Sequence, residues 1–267
     1  MDLESKTAGA EHQTVYSALA PAPTTALTLF DGQWSSRLPS MDGPGSTPLF
    51  ADHRIVWLLR QLGDIRGWRV LELGPLEAGH THMLEHAGAD VLAIESNHDA
   101  FLRCLIVKNL FNLSARIWLG DFTKSFGDDV RYDLAVASGV LYHMTKPVEL
   151  LRRLSDVSDR LFIWTHYFDA DSTRWNPTLQ QSMDKKWRSD LIKTEVFEDM
   201  TVRLVPHIYG KSLDWPGFCG GAERYSYWLF RDDLTAILSR LGYTRVQTGF
   251  DVPDHPNGPS LGILATR

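Results

Sequence analysis

Short apolar segments alternate with helix-like ones between residues 49 and 166, and this alternation limits the possible fold more than any other feature of the sequence. Buried strands are predicted at residues 69–73, 91–95, 115–120, 132–138 and 160–166. Helices are predicted at residues 79–87, 98–111 and 147–157, and the segment after Leu49 also has apolar residues at helical spacing. Strands that alternate with helices predict an α/β fold with a parallel sheet covered on both faces.

The alternation stops at His166, and this break divides the chain into four predicted regions. Residues 1–48, rich in Ala, Pro, Thr, Ser and Gly, form an N-terminal extension whose first 25 or so residues we expect to be mobile. Residues 49–166 form the core. Residues 167–224 are an irregular, aromatic insertion, and residues 225–267 complete the core. In that last region YSYWLFRDDLTAILSRLG predicts a helix capped near Arg231, and TRVQTGF and LGILATR predict two closing strands.

Composition excludes several classes of protein. The 267 residues are 43% hydrophobic, which allows a substantial core. The net charge of -6 and a pI of about 5.9 argue against binding to a nucleic-acid phosphate backbone. Two cysteines are too few for a disulfide framework, and no leader peptide or membrane span is evident. We therefore expect a cytoplasmic protein; its oligomeric state does not follow from the sequence.

A glycine turn directly follows the first predicted strand, in the segment VLELGPLEAGH. This strand brings Gly74 to the carboxyl edge of the sheet, where open parallel sheets bind ligands. Gly74 and Gly79 have no Cβ, so the backbone can approach a ligand closely. The dinucleotide fingerprint G-x-G-x-x-G is absent, because residues 74–79 are GPLEAG. Glu72, two residues before the turn, indicates a cationic ligand rather than a diphosphate.

Two further acids end predicted strands in register with the glycine turn. Glu95 ends the second strand, where a carboxylate can accept hydrogen bonds from both hydroxyls of a ribose. Asp121 and Phe122 follow the third strand, where an acid can accept from an exocyclic amine and a ring can stack on a base. An acid at a strand end is more often simply solvated, so the prediction depends on the order and spacing of all three sites.

This series of residues, with Tyr132-Asp133, resembles the motif series of class I S-adenosylmethionine-dependent methyltransferases over residues 50–166 and 226–267. The resemblance implies a Rossmann-like, mostly parallel sheet with an antiparallel closing strand, and S-adenosylmethionine as the cofactor. The sequence departs from the family at residues 75–77, where many members have a second glycine. The cofactor-binding residues implied are Glu72, Gly74, Pro75 and Gly79 for the methionine part, Glu95 for the ribose, and Asp121 with Phe122 for the adenine.

The residues after the fourth and fifth strands are the candidates for chemistry. Methyl transfer needs a nucleophile about 3 Å from the sulfonium methyl group and a site that excludes water. Ser138, a predicted cofactor contact, ends the fourth strand and leads to Tyr142 and His143, while His166 ends the fifth strand in the same row. Histidine suits proton transfer near neutral pH, so Tyr142, His143 and His166 are predicted catalytic residues. His143 could instead simply order its loop.

The insertion at residues 167–224 is predicted to be a cap over a small-molecule substrate. Its aromatic residues could line an apolar pocket, although part of them could form the core of a small subdomain. The sequence thus predicts methyl transfer to a small molecule, with an acceptor atom that does not follow from the residues. Nucleic acid is not the expected partner.

Two alternatives remain open at this point. SGVLYHMTKPVELL also resembles a stretch of tRNA wobble-uridine carboxymethyltransferases, in which Tyr142 would lie near the extra carboxylate of carboxy-S-adenosylmethionine. A tRNA-modifying enzyme is therefore one alternative, although the acidic pI fits tRNA poorly. A non-catalytic protein that binds the cofactor is the other.

The segment HMLEH, residues 82–86, has the H-x-x-E-H pattern of a zinc-hydrolase helix. A catalytic zinc site needs a third ligand and an open position, and no other cluster of ligand residues offers them. We therefore predict no metal, and we interpret His82 and His86 as histidines on a helix surface.

Overall fold

The computed structural model describes residues 16–41, 45–127, 130–171, 192–214 and 220–267. Residues 1–15 of the extension that we expect to be mobile lie outside the described residues, as do Trp175, Trp187, Trp215 and Phe218 of the expected cap. The strands are β1 (Arg69–Leu73), β2 (Asp90–Glu95), β3 (Arg116–Leu119), β4 (Leu134–Ser138), β5 (Arg160–His166), β6 (Lys193–Phe197), β7 (Met200–Ile208), β8 (Tyr225–Leu229), β9 (Arg245–Val252) and β10 (Ser260–Thr266). The helices are α1 (His53–Leu62), α2 (Gly79–His86), α3 (His98–Leu110), α4 (Pro147–Val157) and α5 (Arg231–Arg240).

Seven strands form the main sheet, in the order β3-β2-β1-β4-β5-β10-β9. The neighbours from β3 to β5 pair in parallel, whereas β10 pairs antiparallel with both β5 and β9. The prediction of a mostly parallel sheet with an antiparallel closing strand is confirmed. Because β1, β2, β4 and β5 run in the same direction, the residues that follow them meet at one edge of the sheet.

Alternate strand residues enter two separate cores, one on each face of the sheet. Val70 and Val136 pack with side chains of α1, α2 and α3, whereas Leu71 and Ala137 pack with side chains of α4 and α5. This division follows from the period of two along a strand, which sends successive side chains to opposite faces. The predicted covering of both faces by helices is therefore confirmed.

A second, three-stranded sheet joins β6, β7 and β8 in antiparallel order and packs on the face that carries α4 and α5. The segment YSYWLFRDDLTAILSRLG was predicted as a helix with a cap near Arg231; the helix does begin at Arg231, but the preceding YSYWL is strand β8. The reason is tertiary, because β8 pairs with β7 and buries Tyr227 and Leu229 in the core that the second sheet shares with the main sheet, while Trp228 stacks on His166.

The N-terminal segment before α1 packs against the α1, α2 and α3 face. Trp34 and Leu38 are buried there, and the indole N–H of Trp34 donates to the Leu27 carbonyl oxygen. Among the described residues no helix is long and apolar enough to cross a membrane.

Candidate functional site

A cavity lies at the carboxyl edge of the main sheet, between the ends of β1, β2 and β4. Five of the eight predicted cofactor residues line it, namely Gly74, Pro75, Glu95, Phe122 and Ser138. Tyr142 and His143 line the same cavity, whereas His166 lies behind Tyr142 at a ring distance of 4.5 Å. The remaining three, Glu72, Gly79 and Asp121, are not among its lining residues.

The glycine turn has an unusual backbone at the position of the missing second glycine. Gly74 has a φ of +63°, and Leu76 and Ala78 both have a φ of +56°, in the left-handed region that disfavours ordinary side chains. A Cβ on Gly79 would lie 2.8 Å from the Leu49 Cβ, so this glycine permits close packing of α2 on residues 49–51. The turn thus keeps a glycine-like shape without the second glycine.

Glu77 holds this turn in place. Its side chain is fully buried, and its two carboxylate oxygens accept hydrogen bonds from the backbone N–H groups of Ser35 (2.9 Å) and Ser36 (2.7 Å). The Nε atom of the buried Arg103 lies 3.2 Å from Glu77 Oε1. Glu77, one of the three residues at which the turn departs from the expected motif, therefore fixes the N-terminal segment to the turn, and no local pattern predicts this contact.

Glu95 presents its carboxylate to the cavity. Oε1 accepts from the backbone N–H groups of Ser96 and Asn97, both at 2.9 Å, and Oε2 accepts from that of Leu76 at 3.1 Å. Burial raises the pKa of Glu95, and these three N–H donors offset that rise only in part. Two carboxylate oxygens have about four acceptor positions, so the group can accept a further hydrogen bond from a ligand.

The other two predicted acids are placed differently. Glu72 is buried, and its Oε2 accepts a 2.5 Å hydrogen bond from the Thr81 hydroxyl. Burial raises the pKa of Glu72 to about 7, against the effect of that hydrogen bond. Asp121 is about half exposed, and its Oδ1 accepts from the backbone N–H and the hydroxyl of Thr123. Their roles in cofactor binding stay predictions.

A cationic group at the cavity was missed by the sequence analysis. Asp52 caps α1, and its carboxylate accepts hydrogen bonds from the Arg54 guanidinium and lies 2.8 Å from His80 Nε2. Burial alone would raise the pKa of Asp52, but hydrogen bonds to His80 and Arg54 hold it well below its ordinary range. Arg54 and His80 line the cavity, and the Arg54 guanidinium lies 4.3 Å from the ring centroid of Trp164. The pair Asp52 and Arg54 at the start of a helix was the sequence signal that could have indicated this cationic group.

His143 is held by Tyr209, which directly follows strand β7 of the second sheet. Its Nδ1 lies 2.8 Å from the Tyr209 hydroxyl, which donates to the Gly220 carbonyl oxygen at 3.1 Å. Burial, and then the nearby His166 and His207, lower the pKa of His143 to about 3. The imidazole is therefore neutral near pH 7.

His166 is oriented by the loop between β9 and β10. Its Nδ1 donates to the carbonyl oxygens of Gly258 (2.8 Å) and Pro259 (3.3 Å). Burial and His255 lower its pKa to about 4, in spite of these hydrogen bonds. Trp228 stacks on the ring at 5.2 Å. His166 thus follows the predicted row of strand ends, but it is not among the residues that line the cavity.

The H-x-x-E-H residues have structural partners. Glu85 accepts hydrogen bonds from the backbone N–H groups of Ser114 (2.7 Å) and Ala115 (2.8 Å), just before β3. His82 packs against the rings of Phe50 and Phe111. Within the described ranges no group of three His, Cys, Asp or Glu side chains could hold a metal ion. This geometry favours a packing role for the motif.

Comparison with known proteins gives matches only at the level of structure. No family model and no curated protein matches the sequence. The N-terminal domain of EvdMO1, solved in the presence of S-adenosylhomocysteine (SAH) and D-fucose, is 19% identical with a TM-score of 0.65, over 91% of this chain and 94% of that chain.

Two methyltransferases with bound SAH also match. Magnesium protoporphyrin IX methyltransferase from Synechocystis PCC 6803 is 16% identical with a TM-score of 0.54, over 80% of each chain. The 1,6-didemethyltoxoflavin-N1-methyltransferase of Burkholderia thailandensis is 16% identical with a TM-score of 0.53, over 82% of this chain and 78% of that chain. The chain has the Rossmann-like fold of class I S-adenosylmethionine-dependent methyltransferases.

Proposed function

We propose that the protein binds S-adenosylmethionine and transfers its methyl group to a small molecule. The observation that carries the proposal is a single cavity that joins the glycine turn, Glu95 and Phe122 to Tyr142 and His143. It lies at the edge of the sheet where this fold binds ligands. All three solved structures described above contain SAH, the product of S-adenosylmethionine.

The polar groups around the cavity fit this cofactor. Glu95 has acceptor capacity for ribose hydroxyls, and the buried Ser138 hydroxyl makes no hydrogen bond within the described part of the chain. Arg54 donates to Asp52 through Nε and Nη2, which leaves Nη1 for an anion. We assign Arg54 to the methionine carboxylate, because a guanidinium binds carboxylates strongly.

The bound cofactor would supply a methyl group that is already activated by its positive sulfur. The residues of the chain would position the acceptor and exclude water, which is the main requirement of this displacement. Tyr142 and Trp164 give the cavity aromatic walls, and a neutral His143 can accept a proton. A small-molecule acceptor is supported by the solved structures described above: one was solved in the presence of D-fucose, and two are methyltransferases named for magnesium protoporphyrin IX and for 1,6-didemethyltoxoflavin.

Calorimetric titration with SAH tests the proposal directly. We expect micromolar binding by the wild-type protein and a roughly tenfold or greater loss in Arg54→Gln, since a hydrogen bond to a charged group contributes about 1.5–3 kcal/mol. Arg66→Gln is the matched control, because Arg66 makes the same paired contact with Asp64 on the exposed surface.

The outcomes separate two claims. Absence of SAH and S-adenosylmethionine binding by the wild-type protein would overturn the proposed function. Equal affinities of Arg54→Gln and Arg66→Gln would remove only the assignment of Arg54. A clear preference for carboxy-S-adenosylmethionine would instead revive the tRNA-modifying alternative.

A further inference from the structure

Tyr209 connects the second sheet to the candidate active site. It directly follows β7 and is 4% exposed, so its hydroxyl lies in a fixed, water-poor environment. That hydroxyl is within hydrogen-bond distance of both His143 Nδ1 and the Gly220 carbonyl oxygen. Tyr209 therefore bridges a loop of the second-sheet region to a residue of the cavity.

The protons in this chain of hydrogen bonds can be assigned. A carbonyl oxygen can only accept, so the single hydroxyl proton of Tyr209 is directed to Gly220. The hydroxyl oxygen then accepts from His143, so Nδ1 carries the imidazole proton. In a neutral imidazole the other nitrogen, Nε2, is then an acceptor. His143 Nε2 makes no hydrogen bond within the described ranges, and its ring lines the cavity.

We propose that Tyr209 is a positioning residue that holds His143 in the Nδ1–H tautomer, so that Nε2 can take the proton of a hydroxyl group on the methyl acceptor. This inference rests on the proposed function and deepens it. It assigns a hydroxyl oxygen as the acceptor atom.

A hydroxyl group fits this arrangement better than the other nucleophiles. A neutral amine can attack before it loses a proton, whereas a hydroxyl gains most from a base that accepts its proton during attack. In the step, the O–H bond breaks and its proton moves to His143 Nε2. The oxygen forms a bond to the methyl carbon, and the carbon–sulfur bond breaks with its electron pair on sulfur. The positive charge of sulfur is thereby replaced by that of the imidazolium ring.

The tautomer can be observed without knowledge of the acceptor. In the full-length protein labelled with ¹⁵N-histidine, two-bond ¹H–¹⁵N correlation spectra distinguish the two tautomers, and the spectrum of His143→Gln identifies the His143 signals. We expect the Nδ1–H form in the wild-type protein. In Tyr209→Phe we expect a shift toward the Nε2–H form, which an unconstrained imidazole favours.

The matched control is Tyr243→Phe. Tyr243 is also a buried tyrosine that donates to a backbone carbonyl, that of Ser158, but it lies away from the cavity. An Nε2–H form in the wild-type protein, or an unchanged tautomer in Tyr209→Phe, would overturn the inference. Binding of SAH by the same samples reports separately on the proposed function, because the tautomer result does not depend on it.

The acceptor atom is tested with S-adenosylmethionine labelled with ¹³C in the methyl group and a panel of small phenols, sugars and amines. We expect an ether methyl signal, with a kcat about tenfold or more lower in Tyr209→Phe than in Tyr243→Phe and little change in KM for the cofactor. Methylamine products alone would contradict the assignment of a hydroxyl acceptor.

Discussion

At the scale of single residues, four glutamates show how position separates structural roles from binding roles. Glu72, Glu77, Glu85 and Glu95 all accept hydrogen bonds from neighbouring groups of the chain. Only Glu95 lines the cavity. Its three backbone donors fix the carboxylate before any ligand arrives, which reduces the entropy cost of binding.

Replacement of Glu95 by Gln should weaken SAH binding by about 10- to 100-fold. The amide keeps the size of the side chain but loses a charged acceptor, and hydrogen bonds to charged groups contribute about 1.5–3 kcal/mol. Glu85→Gln is the matched control, because Glu85 also accepts from two backbone N–H groups but does not line the cavity. Calorimetry measures both affinities, and equal values would contradict the placement of the ribose at Glu95.

At the scale of elements, the N-terminal segment and the glycine turn form one unit through Glu77. The turn contains two non-glycine residues in the left-handed region, Leu76 and Ala78, and such strain persists only where the surroundings impose it. The contacts of Glu77 with Ser35, Ser36 and Arg103 impose the strained conformation on this turn. Stability of the turn thus depends on a segment more than 40 residues away in sequence.

Glu77→Gln should lower the free energy of unfolding by about 3 kcal/mol or more, because it removes the carboxylate that forms the ion pair with the buried Arg103. Addition of Arg103→Met should recover part of this loss, since the unpaired charge is then removed. Urea denaturation measures the three proteins. Equal stability of Glu77→Gln and the wild-type protein would show that the ion pair does not hold the turn.

Local pattern predicted the elements of the main sheet and failed at the second one. PVELLRRLSDV and RLFIWTH were predicted with the bounds that the structure has, because their apolar spacing matches what each buries. YSYWL was predicted as helix, since it adjoins a true helix and no local signal marks its pairing with β7. Strand pairing between distant segments is a tertiary effect that overrides propensity.

At the scale of the whole molecule, the sheet edge explains which site residues could be predicted. Glu95, Ser138 and His166 end parallel strands, so their meeting at one edge follows from the fold alone. Arg54 belongs to an outer helix, and Tyr209 directly follows strand β7 of the second sheet. Their contacts with Trp164 and His143 depend on packing. The residue types of Arg54 and Tyr209 can be read from the sequence, but their location beside the cavity cannot.

The pH dependence of stability should contain two opposed contributions from this site. The pKa of His166 is lowered to about 4 in the folded protein, against about 6.5 unfolded. The stability that the neutral His166 contributes to the fold is therefore complete above pH 6.5 and is lost as the pH falls toward 4. The pKa of Glu72 is raised to about 7, so its buried charge costs stability above pH 7 and that cost is relieved as the pH falls.

Two variants separate these contributions in urea denaturation at pH 7.5 and pH 5. On going from pH 7.5 to pH 5, the unfolding free energy of His166→Gln should fall by about 2 kcal/mol less than that of the wild-type protein, because the histidine with the lowered pKa is absent. Over the same pH change, the unfolding free energy of Glu72→Gln should fall by a similar amount more than that of the wild-type protein, because the variant has no carboxylate whose buried charge is neutralised at pH 5. The two expected changes have opposite signs, so each variant is the control for the other. A general loss of packing would lower the unfolding free energy equally at both pH values. Changes of the same sign in both variants would show that burial does not set these two pKa values.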